Sequence, residues 1–323
     1  MTDTRYLVHG VFWDDPPAGP AGPGAAGGYA QPGEAGVPAI RLQDPDGGFT
    51  GLPLDAGTRL GFRLAAGGKH CLGHHKVHGP ADRNHVLCPG RALAVKGSQC
   101  ERCVAVDDSR LIHDFHRGGY VPPGLRAYLM QPHWLYIATF ANGASKVGTA
   151  ANLRKWKRLA EQGAVVARYV AEAADGRVVR ILEDLVTRDA GVPQQIRSAA
   201  KAAALAGPAP AADLDALNRR LAAKVRGLLA GATDAGFEVV DEQWLRPGLS
   251  DAACVPADRH AYPTELSTGS HGFRIDSLSG SVALARLDGT DLEFIVNLGQ
   301  LKARIIELGD HGTEVPAVQE SLF

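Results

Sequence analysis

Cys100-Glu101-Arg102-Cys103 is a C-x2-C pair, with Cys88 and Cys71 upstream of it. Two thiolates that share one tight turn, joined by two more from a separate loop, can close a tetrahedral shell around Zn²⁺. The favoured ligand set is Cys71, Cys88, Cys100 and Cys103. His74 in Cys71-x2-His74 and His85 in His85-x2-Cys88 are alternative nitrogen donors for the fourth position. Such a shell leaves no open position, so the ion is expected to be structural, in a segment too poor in apolar residues to fold unaided. No βαβ pattern surrounds Cys100, which argues against a redox pair. The fifth cysteine, Cys254, stands alone and reads as an unligated thiol. A second chemical group is the cationic run from Lys146 to Arg158. The chain carries 34 basic and 35 acidic residues, so any surface for nucleic acid has to be local, as this run is. His113, His116 and His133 form a looser set suited to metal binding or proton transfer.

The elements that must position the cationic run are read from residues 134–183. Residues 135–140 have strand character, Asn142-Gly143 is a hairpin-turn signal, and a second strand ends at Gly148. The period then changes from two to about 3.6. Leu153, Trp156 and Leu159 or Ala160 share one helix face, with Arg154, Lys155, Lys157 and Arg158 around the other side and Thr149 or Asn152 as candidate caps. A third strand covers 165–171. After Asp175-Gly176 a second helix runs over about 177–188, with Val178, Ile181, Leu182 and Leu185 as its apolar stripe. Glu183 lies toward the polar margin, with Arg180 and Arg188 as candidate ion-pair partners.

This block resembles the core of the GIY-YIG nuclease superfamily, a three-stranded sheet flanked by helices. Leu135-Tyr136-Ile137 stands at the first signature and Lys146-Val147-Gly148 at the second, with lysine where the superfamily has its second tyrosine. The signature arginine matches Arg154 or Lys155, and Glu183 matches the metal-binding glutamate. The terminal asparagine has no clear match; Gln194 or Gln195 is nearest. The resemblance implies phosphodiester hydrolysis, with Tyr136 orienting or deprotonating water, Arg154 and Lys155 holding phosphate, and Glu183 binding Mg²⁺ or Mn²⁺. Lys155, Trp156 and Arg158 are then the expected nucleic-acid-binding residues, and His133, just before the first strand, is a further site candidate. Lys146 cannot replace a phenolic base unless its pKa is strongly lowered, although it can still contact phosphate. The order as a whole resembles a bacterial family known as domain of unknown function 2797, over roughly residues 55–308. That resemblance carries an architecture rather than a reaction.

At 323 residues the chain suggests two to three modules. Residues 14–38 are rich in Pro, Gly and Ala and read as a flexible insertion in an N-terminal β-segment (1–64). A zinc-binding module (65–120), the GIY-YIG-like core (121–195), a helical hairpin (196–235) and a C-terminal β-module (236–323) follow. The hairpin, with Leu214, Leu217, Leu221 and Val225 at helical spacing, is suited to covering the core or joining a homodimer. The last module reads as a three-stranded antiparallel meander over 282–287, 292–297 and 303–308. The expected fold class is therefore α+β. No apolar run approaches a membrane span and the start of the chain lacks a signal-peptide pattern, so a cytoplasmic protein is expected. Three functions fit: a metal-dependent nuclease, a zinc-containing nucleic-acid-binding or regulatory protein without turnover, and a small-molecule enzyme using Lys146, His133 or Tyr136 on the same scaffold.

Overall fold

Strands β1 (Arg5–Trp13), β2 (Pro38–Gln43), β3 (Phe49–Pro53) and β4 (Arg59–Leu64) lead into a short hairpin, β5 (His74–Val77) and β6 (Arg83–Val86). Helices α1 (Glu101–Val106) and α2 (Pro123–Leu129) follow. The central run is β7 (His133–Thr139), β8 (Ser145–Ala151), α3 (Lys155–Gln162), β9 (Val166–Ala173) and α4 (Gly176–Ala190). After α5 (Ser198–Ala204) and α6 (Ala211–Ala230) come β10 (Phe237–Gln243), β11 (His260–Ala261), β12 (Ser270–Ser279), β13 (Val282–Arg286), β14 (Glu293–Asn297) and β15 (Ile305–Leu308). This computed structural model describes residues 5–13, 38–112, 115, 118–232 and 236–314. Most of the Pro/Gly-rich stretch, together with His113 and His116, lies outside them. The architecture is mixed α+β with large antiparallel sheets.

The central sheet has four strands in the order β10-β9-β7-β8, one more than the three expected. Residues 237–243 fall within the segment expected to belong to the C-terminal β-module, but as β10 they pair with β9 rather than with the C-terminal strands. Strand β7 is buried at every position, as a central strand covered on both faces must be. Trp134, Tyr136 and Ala138 face one hydrophobic core, while Leu135 and Ile137 face another with Val179, Leu182, Val186, Val225 and Leu229 of α4 and α6. Helix α6 thus covers the sheet. Helix α4 starts where Asp175 accepts the Arg177 and Val178 N–H groups, each at 2.8 Å.

The apolar stripe expected on α4 is shifted. Val179, Leu182, Glu183 and Val186 are buried and Ile181 is partly exposed. The helix packs on β8 and β7 and, at its flank, against α6 on the same face of the sheet, so more than one narrow stripe is covered, and Glu183 is carried inward. On α3 the buried residues are Lys155, Leu159 and Ala160, whereas Leu153 is exposed. Asn152 does not cap this helix; its Oδ1 accepts from Trp134 Nε1 at 2.8 Å.

The other sheet has nine strands in the order β11-β14-β13-β12-β4-β15-β1-β2-β3. Its N-terminal and C-terminal strands, distant in sequence, share one sheet, with β1 pairing β15 and β4 pairing both β12 and β15. Strands β12, β13 and β14 form a meander, but β15 does not extend it. A 3-10 helix at Leu298–Leu301 redirects the chain before β15, so the third strand of the expected meander pairs elsewhere. The larger sheet faces the central one across the core that contains Trp13, Leu42, Phe62, Tyr136, Leu159 and Phe273. At the end of α3, Gly163 takes the left-handed conformation (φ 68°), and a Cβ there would meet Ser279 Oγ at 3.0 Å. That close approach seats α3 between the two sheets.

Candidate functional site

The β5–β6 hairpin lies between Cys71 and Cys88, and Cys100 immediately precedes α1, on which Cys103 sits. The Sγ atoms of Cys71, Cys88, Cys100 and Cys103 all lie within 4.8 Å of one another, and no disulfide joins them. Four thiolates around Zn²⁺, each about 2.3 Å from the ion, stand roughly 3.8 Å apart, so the observed cluster fits a tetrahedral ion. Backbone N–H groups support the sulfurs. The Gly73 N–H donates to Cys71 Sγ at 3.3 Å, and the Cys103 N–H draws the Cys100 thiol down to about 7.

Both alternative histidine ligands lie outside the cluster. His85 donates from Nε2 to the Leu72 carbonyl at 2.7 Å and stacks on His75, and His74 sits in β5 apart from the sulfurs. The four residues therefore could hold a metal ion such as zinc. Two acidic residues tie the module together. Asp107 accepts from Gln99 Nε2 (2.7 Å) and the Ser109 N–H (2.9 Å), and Asp108 accepts from Lys76 Nζ and the Val77 N–H (both 3.0 Å). Val77 then packs against Leu125, Tyr128, Leu129 and Ala151, joining this module to the central sheet.

Along the edge strand β8 a second group of side chains converges. Tyr136 is 0% exposed and its hydroxyl accepts from Gln162 Nε2 at 2.9 Å. Opposite it, Gly148 must be glycine, because a Cβ would stand 2.5 Å from the Tyr136 hydroxyl oxygen. Burial raises the phenol above its ordinary range, against the opposing pull of Arg158 and Gln162.

Lys146 is 9% exposed. Its Nζ donates to the Gln194 carbonyl at 3.2 Å and lies 5.9 Å from the centre of the Tyr136 ring. Burial, helped by the charges of Arg158 and Arg180 and opposed by Glu183, pushes Lys146 down to about 8. Glu183, 4% exposed, is ion-paired with Arg180, yet burial still raises its pKa. Both members of the Lys146–Glu183 pair therefore resist ionisation, so desolvation outweighs their mutual attraction. Lys201, whose Nζ donates to the Gln162 carbonyl at 3.1 Å, is also pushed down to about 8, by burial and then by Lys146 and Arg158.

Beside this group lies a cavity of about 270 Å³, lined among others by Arg83, His133, Thr149, Arg154, Arg158 and Arg180. Four guanidinium groups from β6, the start of α3, α3 itself and α4 meet there. Arg154 is held by Glu161 at 2.6 Å. His133 donates from Nδ1 to the Gln131 carbonyl at 2.8 Å, and burial lowers its pKa, which leaves Nε2 as an acceptor when the ring is neutral.

The structure separates the site residues read from the sequence. Tyr136, Lys146, Arg158 and Glu183 come together, and Arg154 and His133 line the adjoining cavity. Of the two matches for the signature arginine, neither stands beside Tyr136; Arg158 does, one turn beyond Arg154. Lys155 is buried, 3.1 Å from the centre of the Trp134 ring and 2.5 Å from Glu242, so it is not free to meet a phosphate. Trp156 packs beside Trp244 and donates to the Leu245 carbonyl at 2.9 Å, away from the cavity. Gln194 reaches the site through its backbone carbonyl.

Sequence reasoning missed Arg83, Gln162 and Arg180 as parts of the site. Arg180 was visible only as a helix neighbour of Glu183. Nothing local marks Arg83, which arrives from the hairpin between two cysteines.

These features define a mixed α+β protein with a four-cysteine centre of the metal-binding kind and an arginine-lined cleft. Residues 95–244 match the family model described as a protein of unknown function, DUF2797, which supports the resemblance to that family drawn from the sequence. The match takes in Cys100, Cys103, the central sheet and α6, but not Cys71, Cys88 or the strands of the larger sheet. No curated protein and no solved structure matches the chain. Among the described residues no helix is long and apolar enough to cross a membrane.

Proposed function

We propose that the chain binds nucleic acid by its phosphates along the edge of β8 and hydrolyses a phosphodiester there, on a GIY-YIG-like core braced by zinc at the four cysteines. The observation that carries this reading is the grouping of Lys146 and Glu183 with Arg158 and Arg180, two of the arginines that line the cavity. Guanidinium groups suit bidentate contact with phosphate oxygens and with the charge that builds on them during displacement. A lysine near 8 is neutral in about one molecule in ten at pH 7, which meets the condition for a lysine to serve as base in place of a tyrosine. Lys146 then takes a proton from the attacking water as the phosphorus–oxygen bond breaks. Glu183 is the carboxylate suited to Mg²⁺ or Mn²⁺, once Arg180 turns from it to the substrate phosphate.

Labelled single- and double-stranded DNA and RNA, incubated with Mg²⁺ or Mn²⁺, test the reading. Cleavage by the wild-type chain, lost in Lys146→Met and Glu183→Gln, supports it. A second reading, binding without turnover, is favoured by one observation: Tyr136 is sealed from solvent and cannot touch water in this arrangement. Salt-sensitive binding with no products under any of these conditions selects that second reading.

A further inference from the structure

We infer that the arginine-lined cavity is a subsite for a phosphoryl dianion, the terminal phosphate of a nucleic-acid strand, built jointly by the cysteine module and the central core. The inference deepens the phosphate-handling reading above and rests on it. Its first ground is charge. Among the described residues no carboxylate lines the cavity, and of its four arginines Arg154 is matched by Glu161 and Arg180 by Glu183. With no divalent ion at Glu183, two positive charges remain without an ion pair among the described residues, on Arg83 and Arg158. An internal phosphodiester carries one negative charge, whereas a terminal phosphate carries about −1.5 to −2 near neutrality, which matches the pair.

Hydrogen bonding points the same way. The Nε–H groups of Arg83 and Arg154 are buried without an acceptor. Orphaned donors on charged groups are costly, and an oxyanion supplies the acceptors they lack. Size then selects the end of a strand over its length. At about 270 Å³ the cavity falls just below the range of sites that enclose whole drug-sized ligands, so it admits a phosphate with part of one nucleoside.

The cysteine module enters through Arg83. This residue opens β6, its guanidinium lies over the Tyr128 ring at 5.5 Å, and its Nη2 reaches Ser109 Oγ at 3.5 Å. Cys71 and Cys88 close the hairpin that carries it, and Asp108 holds the opposite strand through the Val77 N–H. An ion on the four sulfurs therefore positions one of the two unmatched arginines, and loss of that ion releases it.

The test uses the full chain without added divalent ion, and two short fluorescent single strands identical except for a 5′-phosphate. The phosphorylated strand is expected to bind at least about tenfold more tightly, as a charge-assisted bidentate contact requires, and inorganic phosphate should compete this advantage away. Arg83→Gln and Arg158→Gln should each remove most of the preference, and Ser109→Ala, a milder change beside Arg83, should weaken it. Chelation of the cysteine-bound metal should reduce the preference while unphosphorylated binding persists. Equal affinity for both strands with no effect of inorganic phosphate overturns the inference. A preference that survives chelation and Arg83→Gln overturns the part assigned to the cysteine module. Cleavage without any preference for a terminal phosphate would leave the proposed function standing and sink only this subsite.

Discussion

Replacing Lys146 with methionine is expected to make the protein more stable while removing the proposed cleavage. The side chain sits beside the Tyr136 ring and its pKa falls from 10.5 to about 8, chiefly because burial disfavours the ammonium. A depression of that size corresponds to roughly 3 kcal/mol of cost for the charged form at neutral pH. Methionine keeps the apolar length and gives up the hydrogen bond to the Gln194 carbonyl, worth about 1 kcal/mol, so a net gain of about 2 kcal/mol is expected at pH 7.

The pH dependence follows from the direction of the shift. Below pH 8 the lysine is charged in both folded and unfolded chains, and the wild type bears the whole cost. Between 8 and 10.5 the folded state has released its proton while the unfolded state retains it, so wild-type stability climbs with pH and the gap to the variant closes. Lys201 titrates in the same window and is itself lowered by Lys146, so in the variant its pKa rises and its contribution cancels only in part, leaving burial as its main cause in both proteins. Urea unfolding of the two proteins at pH 7 and pH 10 measures that difference. A variant less stable than wild type at pH 7, or a gap that does not change with pH, would refute the reasoning. A stabilising substitution that abolishes cleavage would mark Lys146 as retained for chemistry rather than for the fold.

Other outcomes follow from the same geometry. Gly148→Ala places a methyl group 2.5 Å from a buried phenol oxygen, and urea or thermal melts should show a loss of about 1–3 kcal/mol. Cys100→Ser should abolish metal retention in elemental analysis and raise hydrogen exchange over residues 70–106 while β7 and β9 stay protected; unchanged metal content would contradict the assignment. Asn218→Leu removes the acceptor for Arg168 Nη1 at 2.9 Å and the donor to Thr139 Oγ1 at 3.0 Å, all buried, and is expected to cost about 3 kcal/mol in a denaturant melt.

Local patterns revealed the elements better than their partners. The strand–turn–strand–helix–strand–helix order over 134–190 was legible because each segment carries its own period and its own turn or cap, Asp175 among them. What no local pattern carries is pairing between distant segments, so the union of β1–β4 with β12–β15 and the move of β10 into the central sheet could not be seen. The cysteine cluster was legible as a set, and proximity places Cys71 rather than a histidine beside the other three sulfurs: His85 spends its Nε2–H on a backbone carbonyl. The burial of Glu183 and Lys155 was not legible, because a charged residue on an amphipathic helix is ordinarily solvated. Glu183 is buried where α4 packs on β8 and β7 beside Lys146, and Lys155 where Trp134, Tyr169 and Glu242 enclose it.

Both readings of the cleft require that phosphate charge drives association. The affinity of a short single strand, followed by fluorescence anisotropy from low to physiological salt, tests this most directly. Log affinity should fall steeply and linearly with log salt concentration, and Arg158→Gln should flatten the slope by about 0.7, the share of one phosphate contact. Affinity that does not respond to salt, or a slope unaltered by Arg158→Gln, would contradict the account.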